Sequence, residues 1–214
     1  TLYRAEFNTG STGTLTLTNG IVPSKTLGVD PVRTISGTNT VQITHSDHHM
    51  YSSNNNVTIS GAKSGISTTL NGAITNAAGI NLTLTSATGF EASNDSSRCY
   101  VKIDNEILFG TLSSNNINNL TRAQDGTSAA AHASGATVEL YQINKIPLTE
   151  INTTHTSLSN IGIDNYVVTT TTNANASSNQ GGNAVVATEN AQMDGGDVFL
   201  PTVEFPDTLV TSCL

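Results

Sequence analysis

Short runs of alternating apolar and polar residues, punctuated by Asn, Gly, Ser and Asp, recur along the chain and are densest from Ile80 to Tyr141. Leu82 and Leu84 alternate with threonines, and Cys99, Val101 and Ile103 alternate with Tyr100 and Lys102. Glu106 to Phe109 resumes after the turn signal Asp104-Asn105. Ile117 to Leu120 follows the polar stretch Ser113 to Asn116, and Thr137 to Tyr141 closes the region. Successive side chains of a strand point to opposite faces, so this period-two pattern predicts antiparallel strands buried on one side. Between the last two runs, Thr127 is placed to cap a helix, Ala129 to Ala131 favour one, and Gly135 supplies a left-handed stop. One or two helical turns are expected there, with the alanines filling space too tight for larger side chains.

The flanks carry the same pattern more sparsely. Residues 1 to 19 read as a hairpin, with Asn19-Gly20 a second hairpin signal. Pro23 and Pro31 then mark Ile21 to Ile35 as an extended arm. Val41 to His45 and Val57 to Ile59 alternate on either side of Asn54-Asn55-Asn56, and Asn71-Gly72 is a further hairpin signal. After Gln142, Ile146 to Thr156 reads as a proline-marked connector and Tyr166 to Val168 as a strand. Asn173 to Asn183 reads as an exposed loop and Ala184 to Thr188 as a strand. Prolines break Val198 to Pro206 into an edge or docking tail. The expected architecture is all-β: serial small antiparallel modules, sandwich- or barrel-like, with short helical turns and extended arm and tail segments. The divisions are 1–38 (hairpin and arm), 39–78 (small β module), 79–143 (central β module) and 144–214 (linker, strands and docking tail).

Composition narrows the function classes. Only 11% of the 214 residues are charged and 36% are hydrophobic, with no Trp. Cores are therefore expected to be thin and to lean on neighbouring chains. The net charge is −8, and the eight Lys and Arg residues are scattered, so no basic stripe exists to neutralise phosphates and no nucleic-acid partner is expected. No apolar run has the length of a membrane span. A chain that opens at Thr1 without a signal sequence reads as processed, trimmed or a piece of a longer polypeptide. Cys99 and Cys213 form no disulfide framework, and Cys99 reads as a small buried residue. Six N-x-S/T sequons, including Asn56, Asn81 and Asn119, follow from the abundance of Asn and Thr.

Three features carry candidate chemistry. His45, Asp47, His48 and His49 combine imidazoles with a carboxylate, the donor set of zinc or iron. A strand-end cluster sends its side chains to different faces, so the expectation is that His48 packs against the turn and no metal is held. His132 is expected to bond to backbone inside its turn. Asp104 and Glu106, one residue apart, suggest paired carboxylates, but glycoside hydrolysis would need a cleft and an aromatic platform that the chain does not announce. No Ser/His/Asp or Cys/His arrangement is justified either. The chain is expected to have no catalytic residues, no cofactor and no metal.

TRAQDGTSAAAHASGATV, residues 121 to 138, resembles a module of phage virion proteins: a strand followed by R-G-Q-D-G-T, small residues, H-A and G-A-T-V. Ala123 stands where that pattern has glycine. Val41 to Gly61 resembles a second phage pattern, a strand ending T-H, then H-G-M or H-G-L, a polar turn and V-T-I-S-G, with His49 in the glycine position. IPLTEINTTHTSLSNIGIDNY and VVATENAQMD are similar to large virion structural proteins of contractile-tailed phages infecting marine cyanobacteria. The resemblance covers most of Gly37 to Asp194 in one order. It implies a non-catalytic structural component of a tail, baseplate or fibre, located in the virion and partnered by copies of itself and other virion proteins. The alternative is a surface adhesin or carbohydrate-binding β domain of a bacterial extracellular filament, with a host-surface glycan as partner. A capsule depolymerase stands third.

Overall fold

A computed structural model describes residues 6–7, 15–16, 24–49, 51, 53–90 and 99–190. Asn19-Gly20, residues 91–98, the proline-marked stretch Val198 to Pro206 and Cys213 lie outside the described residues. As the alternation predicts, the chain is nearly all β and its strand pairs are antiparallel. No helix among the described residues is long and apolar enough to cross a membrane.

β1 (Glu6–Phe7) and β2 (Leu15–Thr16) pair antiparallel. Eight further strands form two four-stranded sheets. One holds β3 (Ser24–Thr26), β6 (Asn56–Ser60), β15 (Thr154–His155) and β18 (Val186–Asn190), in the order β15-β6-β18-β3. The other holds β4 (Val32–Thr34), β5 (Thr40–Thr44), β16 (Asn165–Thr169) and β17 (Ser178–Gln180), in the order β16-β5-β4-β17. The two sheets contribute to one core. Alternate residues of each strand, Val41 and Ile43, Val57 and Ile59, Tyr166 and Val168, are fully buried in it. This is the arrangement of a β-sandwich.

The second core belongs to the central region. β7 (Ser67–Thr69), β8 (Leu82–Thr83), β9 (Cys99–Ile103), β10 (Glu106–Ser113), β11 (Asn116–Thr121) and β12 (Thr137–Leu140) form one sheet, ordered β7-β12-β9-β10-β11-β8. The sheet curls until its two edges meet through a bridge between Leu70 and Leu84. Leu82, Leu84, Val101, Ile103, Leu108, Ile117, Val138 and Leu140 fill the inside. The turns are where the sequence puts them: Asp104 and Ser114 take the left-handed conformation at φ 52° and 53° in the two hairpins. Opposite Gly110 the β10–β11 register shifts. A Cβ on Gly110 would lie 2.5 Å from the carbonyl oxygen of Asn118, so only glycine lets β11 pass this closely.

The expected divisions at 39–78 and 144–214 are not separate bodies. β5 pairs with β16 and β6 with β18, so both stretches build the same sandwich and the barrel-like sheet is inserted between them. The expected arm at 21–35 supplies β3 and β4, because Leu27 and Val32 are buried in the sandwich core. The connector after Gln142 is also core. β13 (Gln142–Ile143) and β14 (Ile146–Pro147) form a tight hairpin, followed by a single helical turn, α1 (Leu148–Ile151), and Ile143, Ile146, Leu148 and Ile151 are buried. Part of the expected loop at 173–183 is β17, paired with β4. Asn71-Gly72 joins no hairpin, since Leu70 bridges Leu84 while Ile74 bridges His132.

The insertion is tied at its neck. Asn152 accepts from the N–H of Ala62 and donates to its carbonyl, both at 2.9 Å. Ser64 donates to the carbonyl of Leu140 at 2.6 Å, and the N–H of Tyr100 donates to Gln142 at 3.0 Å.

Candidate functional site

The residues with chemical potential fall into two clusters. The first lies at one rim of the barrel-like sheet, where Asp104 sits in the β9–β10 turn and Glu106 opens β10. Glu106 is 1% exposed in a chain with few charges. Its partner is Arg122, which follows β11 directly: Nε donates to Oε1 at 2.7 Å and Nη2 to Oε2 at 2.6 Å. The same carboxylate accepts from the N–H groups of Ala123 and Ala130 at 3.1 and 3.0 Å. The rest of the guanidinium donates to the carbonyls of Thr75 and Ala130. His132, also buried, sets Nε2 at 2.9 Å from Glu106 Oε2 and Nδ1 at 2.8 Å from Asp104 Oδ2. Each ring nitrogen of His132 thus faces a carboxylate oxygen.

Burial would raise the Glu106 carboxyl, but the hydrogen bonds from Arg122, Ala130, His132 and Ala123 outweigh it and bring it down to about 2. Glu106 is thus an ionised acceptor and not an acid able to deliver a proton at neutral pH. The Arg122 fork and both His132 nitrogens are engaged, and among the four side chains only Asp104 reaches well into solvent. The arrangement fastens four stretches of chain to one another: the β9–β10 turn, the residue after β11, the 130–132 segment and Thr75.

Three expectations are corrected here. The segment from Thr127 to Gly135 is not helical. Backbone donors that a helix would occupy are turned to Glu106 and to Ile74, which exchanges two bonds with His132. The short 3-10 turn present is Gln124–Gly126, and Thr127 follows it, donating to the carbonyl of Gln124 at 2.7 Å. Ala129 to Ala131 are exposed and fill no tight space, so the buried residue of the segment is His132. The His132 ring bonds to two carboxylates and not to backbone; only its main-chain N–H and carbonyl pair with the backbone of Ile74. The left-handed glycines are as expected, at φ 76° for Gly126 and 85° for Gly135.

Ala123 is itself left-handed, at φ 55° and ψ 44°. A Cβ in this region costs about 1–2 kcal/mol, and glycine gives back part of that through its freer unfolded chain. Ala123→Gly is therefore expected to stabilise the protein by about 0.5–1 kcal/mol, read as a higher urea midpoint at unchanged slope.

The second cluster caps one end of the sandwich. His45, His49, Tyr51 and Tyr166 stand with every pair of ring centroids between 4.9 and 5.5 Å. His48 is not the packing histidine: it is exposed, while His45 is buried and His49 half-buried. Asp47 is turned outward to an ion pair with Lys25. His49 has no positive φ, so glycine's special freedom is not what this position demands. Burial brings the His45 imidazole down to about 4 and pushes the Tyr51 hydroxyl up to about 12. Among the described residues, no group of three or more His, Cys, Asp or Glu side chains is placed to hold a metal ion. Cys99 is a free thiol in the barrel core, pushed up to about 12 by burial.

The sequence pattern marks Asp104 and Glu106 as a pair and His132 alone, and does not mark Arg122 as their partner. One signal was available: Glu106 stands at the head of the apolar run Ile107-Leu108-Phe109, where an unpaired charge would be costly. Comparison with protein-family models, curated proteins and solved structures finds no match.

Proposed function

We propose that the chain is a structural, non-catalytic component of a phage virion, in a tail, baseplate or fibre, and that it acts by associating with copies of itself and with other virion proteins. The observation that carries this reading is the use made of the TRAQDGTSAAAHASGATV string. Its Arg122 and His132 are turned inward onto Glu106 and Asp104, so the polar residues of the phage-like pattern serve to hold a small all-β module together. A second support is the surface. Val29 and Ile163 are 76% and 67% exposed, apolar contact area that a subunit of an assembly would cover.

Sedimentation velocity and electron microscopy of the purified protein at micromolar concentration test the proposal. Discrete oligomers or ordered polymers are expected. A folded monomer that does not associate across that range overturns it.

A further inference from the structure

The ring cluster at the end of the sandwich contains buried polar atoms with no partner: both nitrogens of His45, Nε2 of His49 and the Tyr166 hydroxyl. His45 is 4% exposed. The N–H of Tyr51 donates to His49 Nδ1 at 3.2 Å. The backbone of the same residues joins two loops. The N–H of His45 donates to the carbonyl of Asp164 at 2.7 Å and the N–H of His49 to that of Ile163 at 3.1 Å. We propose that this cluster is an acid-released clasp: uncharged His45 packs the β5–β6 loop onto the β15–β16 loop, and taking up a proton lets the loops part.

The surroundings offer a charged His45 little. From β3, Lys25 is paired with Asp47 of the β5–β6 loop. On the facing loop, Asp164 accepts from the Asn165 amide at 2.8 Å. Glu189 of β18 accepts from Asn55 at 2.6 Å, and Asp30 and Arg33 line a small cavity beside His45. His48, next to the pair, is exposed. Burial is the largest influence on His45, His49 and Lys25 oppose its charge, and Asp47 and Asp164 favour it without prevailing.

The sign follows from the direction. The folded value of about 4 lies below the ordinary 6.5, so the opened state binds the proton more tightly. The clasp is at full strength above pH 6.5 and weakens as pH falls toward 4. Each unit is a factor of ten, so the closed-to-open ratio falls by up to roughly 300-fold across that window. His155, also lowered by burial, adds acid sensitivity to the whole sandwich, so the readout has to be local.

Amide hydrogen exchange supplies it. Exchange of peptides covering 41–51 and 160–168, corrected for the intrinsic rate, is compared at about pH 7.5 and about pH 4.5. The wild-type protein is expected to lose protection at His45, His49 and Tyr51 before the barrel strands at 99–113 do. His45→Phe keeps a ring without a titrating group and is expected to remove the local pH dependence. His45→Gln serves the same purpose should the Phe variant not fold. Unchanged protection in the wild type, or the same acid loss in these variants, overturns the proposal.

Discussion

Glu106→Gln is expected to destabilise the protein by about 3–5 kcal/mol, the largest effect of any single substitution considered, because it removes one charge of a buried pair and strands the other. The amide fits the space, but it cannot accept the fork of Arg122, the N–H groups of Ala123 and Ala130 and the His132 ring together. A second substitution separates stranded charge from lost packing. Arg122→Met in the Gln background should recover part of the loss, since apolar replacements of buried ion pairs are often tolerated. Urea unfolding of the two single variants and the double variant measures the coupling.

The same carboxylate sets an acid limit. Its folded value of about 2 lies below the ordinary 4.5, so its stabilising contribution is present above pH 4.5 and is lost as pH falls toward 2. That contribution is on the order of 3 kcal/mol. Acid titration of the wild type should therefore show a loss in this window that the Gln variant lacks.

Gly61→Ala is expected to have the second largest effect. Gly61 follows β6, at the point where the chain leaves the sandwich, and has φ +78°. Its added Cβ would lie 2.2 Å from the carbonyl oxygen of Ala184 and 3.1 Å from the carbonyl carbon, and backbone cannot swing aside as a side chain can. Left-handed strain of about 1–2 kcal/mol adds to an overpacking cost of about 1–3 kcal/mol. Gly135→Ala is the control: φ is +85°, yet nothing lies within 4 Å of the added Cβ, so only the conformational part should appear. Equal losses in thermal melts of the two variants would show that the contact with Ala184 is not what matters.

The strands were legible because they are locally encoded: Leu82 and Leu84, or Val101 and Ile103, announce a buried face by period two alone. Their partners were not. Whether Ile43 pairs with a neighbour or with Tyr166 depends on a surface completed far along the chain. Pro31 stands directly before β4 and Pro147 pairs with Gln142 at the end of β14, so the prolines did not keep their stretches out of the sheets, and turn residues say nothing about which core the flanking apolar residues join. The two clusters were hidden for a related reason. Arg122 looks like a surface residue of a loop, His132 like a turn histidine bonded to backbone, and Tyr166 like an ordinary strand aromatic, until the sheets bring Glu106 and His45 to them.

The tied neck of the inserted module bears on the order in which the chain can fold. Asn39 and Thr170 meet across 131 residues, and Ala62 and Asn152 across 90. Pairings at such separations are slow to find. The barrel-like sheet has its own core and nearest-neighbour hairpins, so it can organise first and bring Ser64 beside Leu140. To the remaining chain the interval then behaves as a short loop, which lowers the closure entropy by about 2 kcal/mol. Nucleation in the inserted module would make the sandwich, which encloses it in sequence, the last part to assemble.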